Sequence, residues 1–324
     1  MTEAPVLGMG LGMPSRLRRL GPRVGLAAAL VLLFAALSLA RPNFLTVANL
    51  INLVRQISIN GILAVGVTFV LLTGGVDLSL GSLVALTGVA AASFAHPGQF
   101  PVIVPVAIGI LAGAACGVLN GVVVTRGRVA PFIATLGMMT AARGLALLIS
   151  EGKPVSNLRG SFTVIGSGQV WGVPVPVLVL CLVALAASVV LRKFRMGRYL
   201  YAVGGNQSAA RASGVRVNRV KMFAYTLCGA LAGLAGVVLA ARITTGQPNA
   251  GAGYELDAIA AAVIGGTSLS GGTGGAGGTV LGALLMGVIN NGLDLLNVPS
   301  YYQQIVKGVI IVGAVWMDRS RQNK

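Results

Sequence analysis

A six-residue element occurs twice in this chain. Gly74-Gly75-Val76-Asp77-Leu78-Ser79 returns as Gly265-Gly266-Thr267-Ser268-Leu269-Ser270, each copy closing one apolar run and opening another. Broken helices at matching places in two halves of a membrane chain point to a transport pathway, because unwound backbone is tolerated in a bilayer only where protein shields it or a cavity receives it. Gly74, Gly75, Gly265 and Gly266 are thus the helix-break elements. A second echo pairs Gly117-Val118-Leu119-Asn120-Gly121 with Gly287-Val288-Ile289-Asn290-Asn291-Gly292. In the span count below, the first echo lies on one side of the membrane and the second on opposite sides. Either the second is chance or the count in the second half is wrong.

Six polar residues near these elements are the candidates for contact with a transported solute: Asp77, Ser79, Asn120, Arg143, Asn290 and Asn291. Amides, hydroxyls and a carboxylate can hydrogen-bond a polyol. They can equally hold helices together. Asp77 after two glycines also reads as a helix stop followed by a cap for the next helix, and Glu255 and Asp257 read as acids at a helix start. Arg143 lies deep in an apolar run, where a charge costs about 2.5–3.5 kcal/mol on insertion scales, so a partner is expected. Arg55 and Lys307 lie near run ends and are expected to snorkel.

Catalytic chemistry finds no support. There is no acid/base pair, no nucleophile triad and no metal cluster, so no catalytic and no metal residues are assigned. The single histidine, His96, cannot build a proton relay, and the three cysteines, Cys116, Cys181 and Cys228, fall in apolar runs without ligand spacing. The run Gly271-Gly272-Thr273-Gly274-Gly275-Ala276-Gly277-Gly278 lacks the Gly-Lys-Ser/Thr ending of a phosphate loop. ATP is not expected to be hydrolysed here. Proton-coupled transport would place an acid within a span, whereas Asp77, Glu255, Asp257 and Asp294 fall at or near span ends.

The elements that must position these residues are membrane helices. Of 324 residues, 55% are hydrophobic and 10% are charged, and the mean hydropathy is +0.86. This excludes a soluble enzyme. Ten apolar blocks are long enough or nearly so: 24–40, 50–73, 78–95, 101–124, 131–150, 173–191, 222–242, 255–267, 276–296 and 302–317. The first also has the look of a signal peptide, but is expected to be retained as a helix. The block 255–267 is too short to span and predicts a half-helix buried in protein.

Net charge is +17. Its placement argues against nucleic acid, because the cations gather in alternate gaps. With the N-terminus inside, seventeen of the 24 Lys and Arg face the cytoplasm: Arg16, Arg18, Arg19, Arg23, Arg126, Arg128, eight within 192–221, Arg319, Arg321 and Lys324. Four, Arg41, Lys153, Arg159 and Arg242, face outward. The positive-inside rule then predicts an all-α polytopic protein of about ten transmembrane helices, some broken or half-length, with both termini cytoplasmic. Residues 1–22 form the N-terminal segment, 23–318 the membrane domain, and 319–324 the tail. The 30-residue gap at 192–221 carries no Asp or Glu and offers a surface that a soluble partner could grip.

That gap carries a resemblance. Gly197-Arg198-Tyr199, Ala202-Val203-Gly204-Gly205-Asn206 and Ala209-Ala210-Arg211-Ala212-Ser213-Gly214-Val215 resemble the permease subunits of ribose-type sugar ABC importers. So do Gly74–Ser82, Asn120-Gly121 with Pro131–Gly137, Gly253–Ala261 and the 265–292 segment, which together cover roughly 45–320. Branched-chain amino-acid permeases are relatives of similar layout, and a branched-chain amino-acid or other small-solute importer is the alternative reading. The resemblance implies import of a monosaccharide, ribose or another pentose, across the bacterial inner membrane. It implies a cytoplasmic ABC ATPase that holds the ATP and Mg, so that this chain binds no cofactor. It further implies a periplasmic or lipid-anchored sugar-binding protein and a second permease copy, giving a homodimer. The ATPase-coupling segment carried over is Asn206, Ala209, Ala210, Arg211, Ser213 and Gly214, on a short helix expected at Gln207–Ala212 and stopped at Gly214. An ATP-independent carrier would need no such segment, and a membrane enzyme would need the missing catalytic groups.

Overall fold

The computed structural model describes residues 15–322, with the side chains of 24–316 and of Asp318. Residues 1–14, 323–324 and the cationic side chains of both terminal segments counted above lie outside the described residues.

Among the described residues the chain is almost wholly helical. In order come α1 (Ser15–Ala40), a 3-10 turn (Pro42–Leu45), α2 (Val47–Leu72), α3 (Leu80–Ser93), α4 (Ile103–Thr125), α5 (Pro131–Ile149) and α6 (Gly160–Ser167). The two-residue strands β1 (Gln169–Val170) and β2 (Val173–Pro174) form a hairpin. Then follow α7 (Val175–Lys193), α8 (Arg195–Gly205), α9 (Gln207–Ala212), α10 (Val217–Ile243), α11 (Tyr254–Ile264), α12 (Ala276–Leu295) and α13 (Ser300–Gln322). Each of the ten expected blocks coincides with a helix. Six of them, α2, α4, α5, α7, α10 and α12, are long and apolar enough to cross a membrane, while Val24–Ala40 and α3 are shorter apolar helices. The polar gaps hold more order than expected: α6 and the hairpin fill 151–172, and α8 precedes the expected α9.

Helix α2 is the central mast. Thr46 caps its start by accepting from the Asn49 amide, and every residue from Ile57 to Leu72 is buried. Outer helices such as α5 and α7 turn apolar side chains outward instead, for example Phe132, Ile133, Leu182 and Leu185. Such an inside-out distribution suits lipid on the periphery. Cys181 is exposed on α7, whereas Cys116 and Cys228 are buried.

The tightest seam joins α4 to α10. A Cβ on Gly113 would strike the Gly229 carbonyl, and one on Gly229 would strike the Gly113 carbonyl. One turn along, a Cβ on Gly233 would strike the Gly109 carbonyl. Lipid tails are as apolar as the helices, so close backbone approach and dispersion must supply the association that the hydrophobic effect supplies in water.

Two segments reverse partway through the bundle. The extended residues 73–79 lead from the end of α2 to the start of α3. From the other end, the loop 244–253 runs back along α3, with Gly246 against Val89 and Ala92 and Gly251 against Gly81. Seven helical residues separate Gly81 from Gly88, about 10 Å of depth. The 11-residue α11 then starts at that depth and runs the opposite way from α3. Block 255–267 is thus the half-helix its length required, and the 14-residue α3 is a second one.

Candidate functional site: the junction of two half-helices

The first turns of α3 and α11 meet. A Cβ on Gly81 would collide with the carbonyl oxygen of Gly251 and with the Glu255 carboxylate. Only a residue without a side chain lets the loop and the acid seat there. Glu255 and Asp257 lie in the first turn of α11, where the exposed N–H groups and the dipole favour negative charge. Glu255 also packs against the first turn of α3, so its charge faces two helix N-termini. It is only partly buried, and its neighbour Leu256 is exposed.

Arg143 holds the loop in place. Its Nη1 donates to the carbonyls of Pro248, at 2.6 Å, and Ala250, at 2.9 Å. The partner that its depth demanded is thus backbone carbonyl, with Glu255 acting on it as an opposite charge. Arg143→Met is expected to lower solute transport about tenfold, with normal membrane insertion, because the loop loses two charge-assisted hydrogen bonds. Uptake within twofold of the unmodified chain would show that the loop needs no clamp.

Beside α3 lies a buried cluster. Asp77 Oδ1 accepts from the Ser79 backbone N–H at 2.9 Å and from Ser79 Oγ at 2.6 Å. Asn120 Nδ2 donates to Ser79 Oγ at 3.1 Å. Asp77, Ser79 and Asn120 are at most 1% exposed. Gly74 does end α2 in the left-handed conformation, with φ of 73°. Asp77, however, does not cap α3. The N-cap is Ser79, without a side-chain bond to the helix, and Asp77 instead braces the extended segment two residues ahead.

Beside α11 lies a matching cluster. Asn290 Nδ2 donates to Asp257 Oδ2 at 3.3 Å, and Lys307 Nζ meets the same oxygen at 2.9 Å. Lys307 therefore does not snorkel; it crosses from α13 to pair with α11. Arg55 likewise donates to the Ser167 carbonyl. Asn291, next to Asn290, exchanges amide hydrogen bonds with Asn49 on α2 at 2.9 and 3.1 Å. The six candidate residues thus fall in four places rather than one pocket.

The second sequence echo is now accounted for. Asn120 stands five residues before the end of α4 at Thr125, and Asn290 five before the end of α12 at Leu295. Each amide serves polar groups near the start of the preceding half-helix, Ser79 before α3 and Asp257 in α11. That is the layout of an inverted repeat, in which matching residues of the two halves fall on opposite sides. The first echo has a different meaning. Its two breaks touch: Gly272 N–H donates to the Leu72 carbonyl at 3.0 Å, and a Cβ on Gly74 would lie 3.4 Å from the Ser270 carbonyl oxygen. Gly204 of α8 closes the contact, with a Cβ there striking Leu72 and Gly272.

The segment expected to couple to an ATPase lies at that same end. Asn206 caps α9 by accepting from the Ala209 N–H at 2.9 Å, and Gly214 ends it with φ of 81°. Ala210 is buried, while Asn206, Ala209, Arg211, Ser213 and Gly214 are exposed. Glu255, Gly81 and Gly251 were missed as site residues. All but Gly251 lie inside blocks that carry the resemblance, and the signal available was an acid two residues into a half-helix too short to span.

Comparison with known proteins agrees with this architecture. The chain is 50% identical over 301 residues to the ribose import permease protein RbsC of Escherichia coli (strain K12), covering 91% of this chain and 92% of that protein. It is 46% identical to the RbsC protein of Bacillus subtilis (strain 168), covering 94% of each. It is 39% identical to the L-arabinose ABC transporter permease protein AraH of Azospirillum brasilense, covering 93% of this chain and 89% of that one. No solved structure is a significant match. Residues 49–315, which include both half-helices, both clusters and the basic loop, match one family model, and the chain belongs to that family, the permease components of the branched-chain amino acid transport system type.

Proposed function

We propose that this chain is the translocation subunit of an ATP-driven importer that carries a monosaccharide, ribose or another pentose, into the cell. The observation that carries the reading is the 50% identity to a ribose import permease over nine-tenths of both chains. Ten helices cross or enter the inner membrane, with both termini and the 192–221 loop in the cytoplasm. The partners are a cytoplasmic ABC ATPase, which holds ATP and Mg, an external sugar-binding protein, and a second copy of this chain. The solute passes beside the junction of α3 and α11, where Glu255 and the clamped loop 244–253 supply groups that hydrogen-bond hydroxyls.

Helix α9 is the contact for the ATPase. One exposed side, Ser208, Ala209, Ala212 and Ser213, is small and neutral, which lets a partner groove close on it with Arg211 at its flank. Tyr201 of α8 donates to the Gly274 carbonyl at 3.0 Å, and Gly204 of α8 wedges between the two breaks. Movement of α8–α9 therefore has a rigid route to both half-helices.

The test is ribose uptake by proteoliposomes containing the chain, the ATPase and the binding protein. ATP-dependent accumulation is expected, and uptake unchanged without ATP would overturn the reading. Uptake of leucine in place of any sugar would favour the amino-acid alternative. Arg211→Glu and Gly214→Val should each lower uptake and ATPase stimulation at least tenfold while the chain still inserts. Gly214→Val strains a positive φ that a β-branched residue does not adopt. Normal uptake by both variants would place the coupling contact elsewhere.

A further inference from the structure

The basic end holds a cavity of about 840 Å³ beside α9, walled by the ends of α4 and α10. Five cations line it, Arg128, Arg211, Arg216, Arg219 and Lys221, and no acid does. Among the described residues the one ion pair is Lys307–Asp257, on other helices, so these five charges have no carboxylate partner among the described residues. Lys221 donates to Gln207 Oε1 at 2.9 Å, a neutral acceptor. Five like charges gathered around one cavity repel each other unless an anion joins them.

The position of the cavity selects the anion. Val124 and Thr125 close α4 and Val217 opens α10, while Lys221 lies one turn deeper, about 6 Å below Val217. The cavity therefore straddles the level where helices leave the apolar core, with charge above and Val124, Val215 and Val217 on its walls. The small neutral face of α9 points elsewhere, so a partner on that face leaves the cavity open. Basic pockets between membrane helices on the cytoplasmic side suit anionic lipid headgroups. We propose that this cavity binds the phosphate of an anionic phospholipid headgroup from the leaflet at the basic end, and that it anchors α9 to that leaflet. The inference does not depend on which solute is carried, so a failed ribose assay leaves it standing.

The test uses the full chain in phosphatidylcholine nanodiscs doped with fluorescent phosphatidylglycerol. Arg128→Gln, Arg216→Gln and Arg219→Gln are combined in one variant. The control combines Arg192→Gln, Lys193→Gln and Arg195→Gln, which removes the same charge from the same basic loop outside the cavity. Retention of phosphatidylglycerol through detergent extraction should fall about tenfold or more in the cavity variant and less than about twofold in the control. Equal losses, or none, would overturn the proposal. Inorganic phosphate that displaces the lipid and protects the chain from heat equally well would make the ligand a free phosphate instead. Loss of ATPase co-purification with lipid retention unchanged would assign the cavity to the ATPase. If the cavity variant fails to insert, the unmodified chain decides. It must prefer phosphatidylglycerol over phosphatidylcholine, that preference must weaken as salt rises, and an Arg-to-Lys triple variant must keep it. A chain with no such preference would sink the idea.

Discussion

Gly81→Val is expected to reduce sugar uptake at least 100-fold while leaving the chain inserted and able to bind its ATPase. The added Cβ falls on the Gly251 carbonyl and on the Glu255 carboxylate. The carbonyl cannot yield locally. Gly251 is part of the loop held by Arg143 through Pro248 and Ala250, and Glu255 is fixed in the first turn of α11. The first turn of α11 must therefore move away from α3. Overpacking of a fitted contact costs about 1–3 kcal/mol, and this one meets the Gly251 backbone as well as the Glu255 side chain. A shift of about 1 Å at a working site can cost about 100-fold in rate. The measurement is initial uptake in proteoliposomes, with ATPase co-purification as the control for folding. Uptake within threefold of the unmodified chain would show that the half-helix junction is not on the solute's route. Gly81→Ala, with the same Cβ and no further methyls, should be impaired less.

The second large effect is on stability. Asp257→Ala should destabilise the chain by about 3 kcal/mol, because Lys307 is then left as an unpaired charge among apolar helices. Lys307→Met should cost a similar amount by stranding a buried carboxylate. The pair joins α13 to α11 and α12, so either change loosens the last helix from the half-helix. Replacing both, Asp257→Ala with Lys307→Met, should recover most of the loss, since no uncompensated charge then remains. Unfolding followed in nanodiscs across the four proteins gives the coupling directly. Additive losses, with the double variant worst, would mean that the two charges do not sense each other.

Much of this was legible in the residues. Each of the ten apolar blocks coincides with a helix, because a long apolar run must pair its backbone groups within itself. The length of 255–267 alone demanded a half-helix. Helix α9 was legible to the residue, since Asn206 is an N-cap type and Gly214 suits a positive φ, both local properties. Less could be read where order depends on neighbours. Helix α8 buries Gly197, Leu200 and Val203 against the bundle, and its exposed Arg195 and Arg198 make it read as a charged loop. Helix α6 and the hairpin lie in a segment whose polarity hides them for the same reason.

The residues by themselves determined the class of molecule, the alternation of its gaps, the places where helices break and the membership of its loop in a permease family. These follow from quantities read along the chain: apolar length, charge per gap, and glycine or cap residues at fixed offsets. Only the tertiary structure decided that Lys307 pairs with Asp257, that Arg143 clamps carbonyls more than 100 residues away, and that Gly81 faces Glu255. The physical reason is that a buried charge or an absent side chain states only a need. Packing alone supplies the partner. The repeated Gly-Gly element with which the chain announces itself is the clearest case. Its spacing marked two breaks, but their contact with each other and with Gly204 arises from three helices folding to one point.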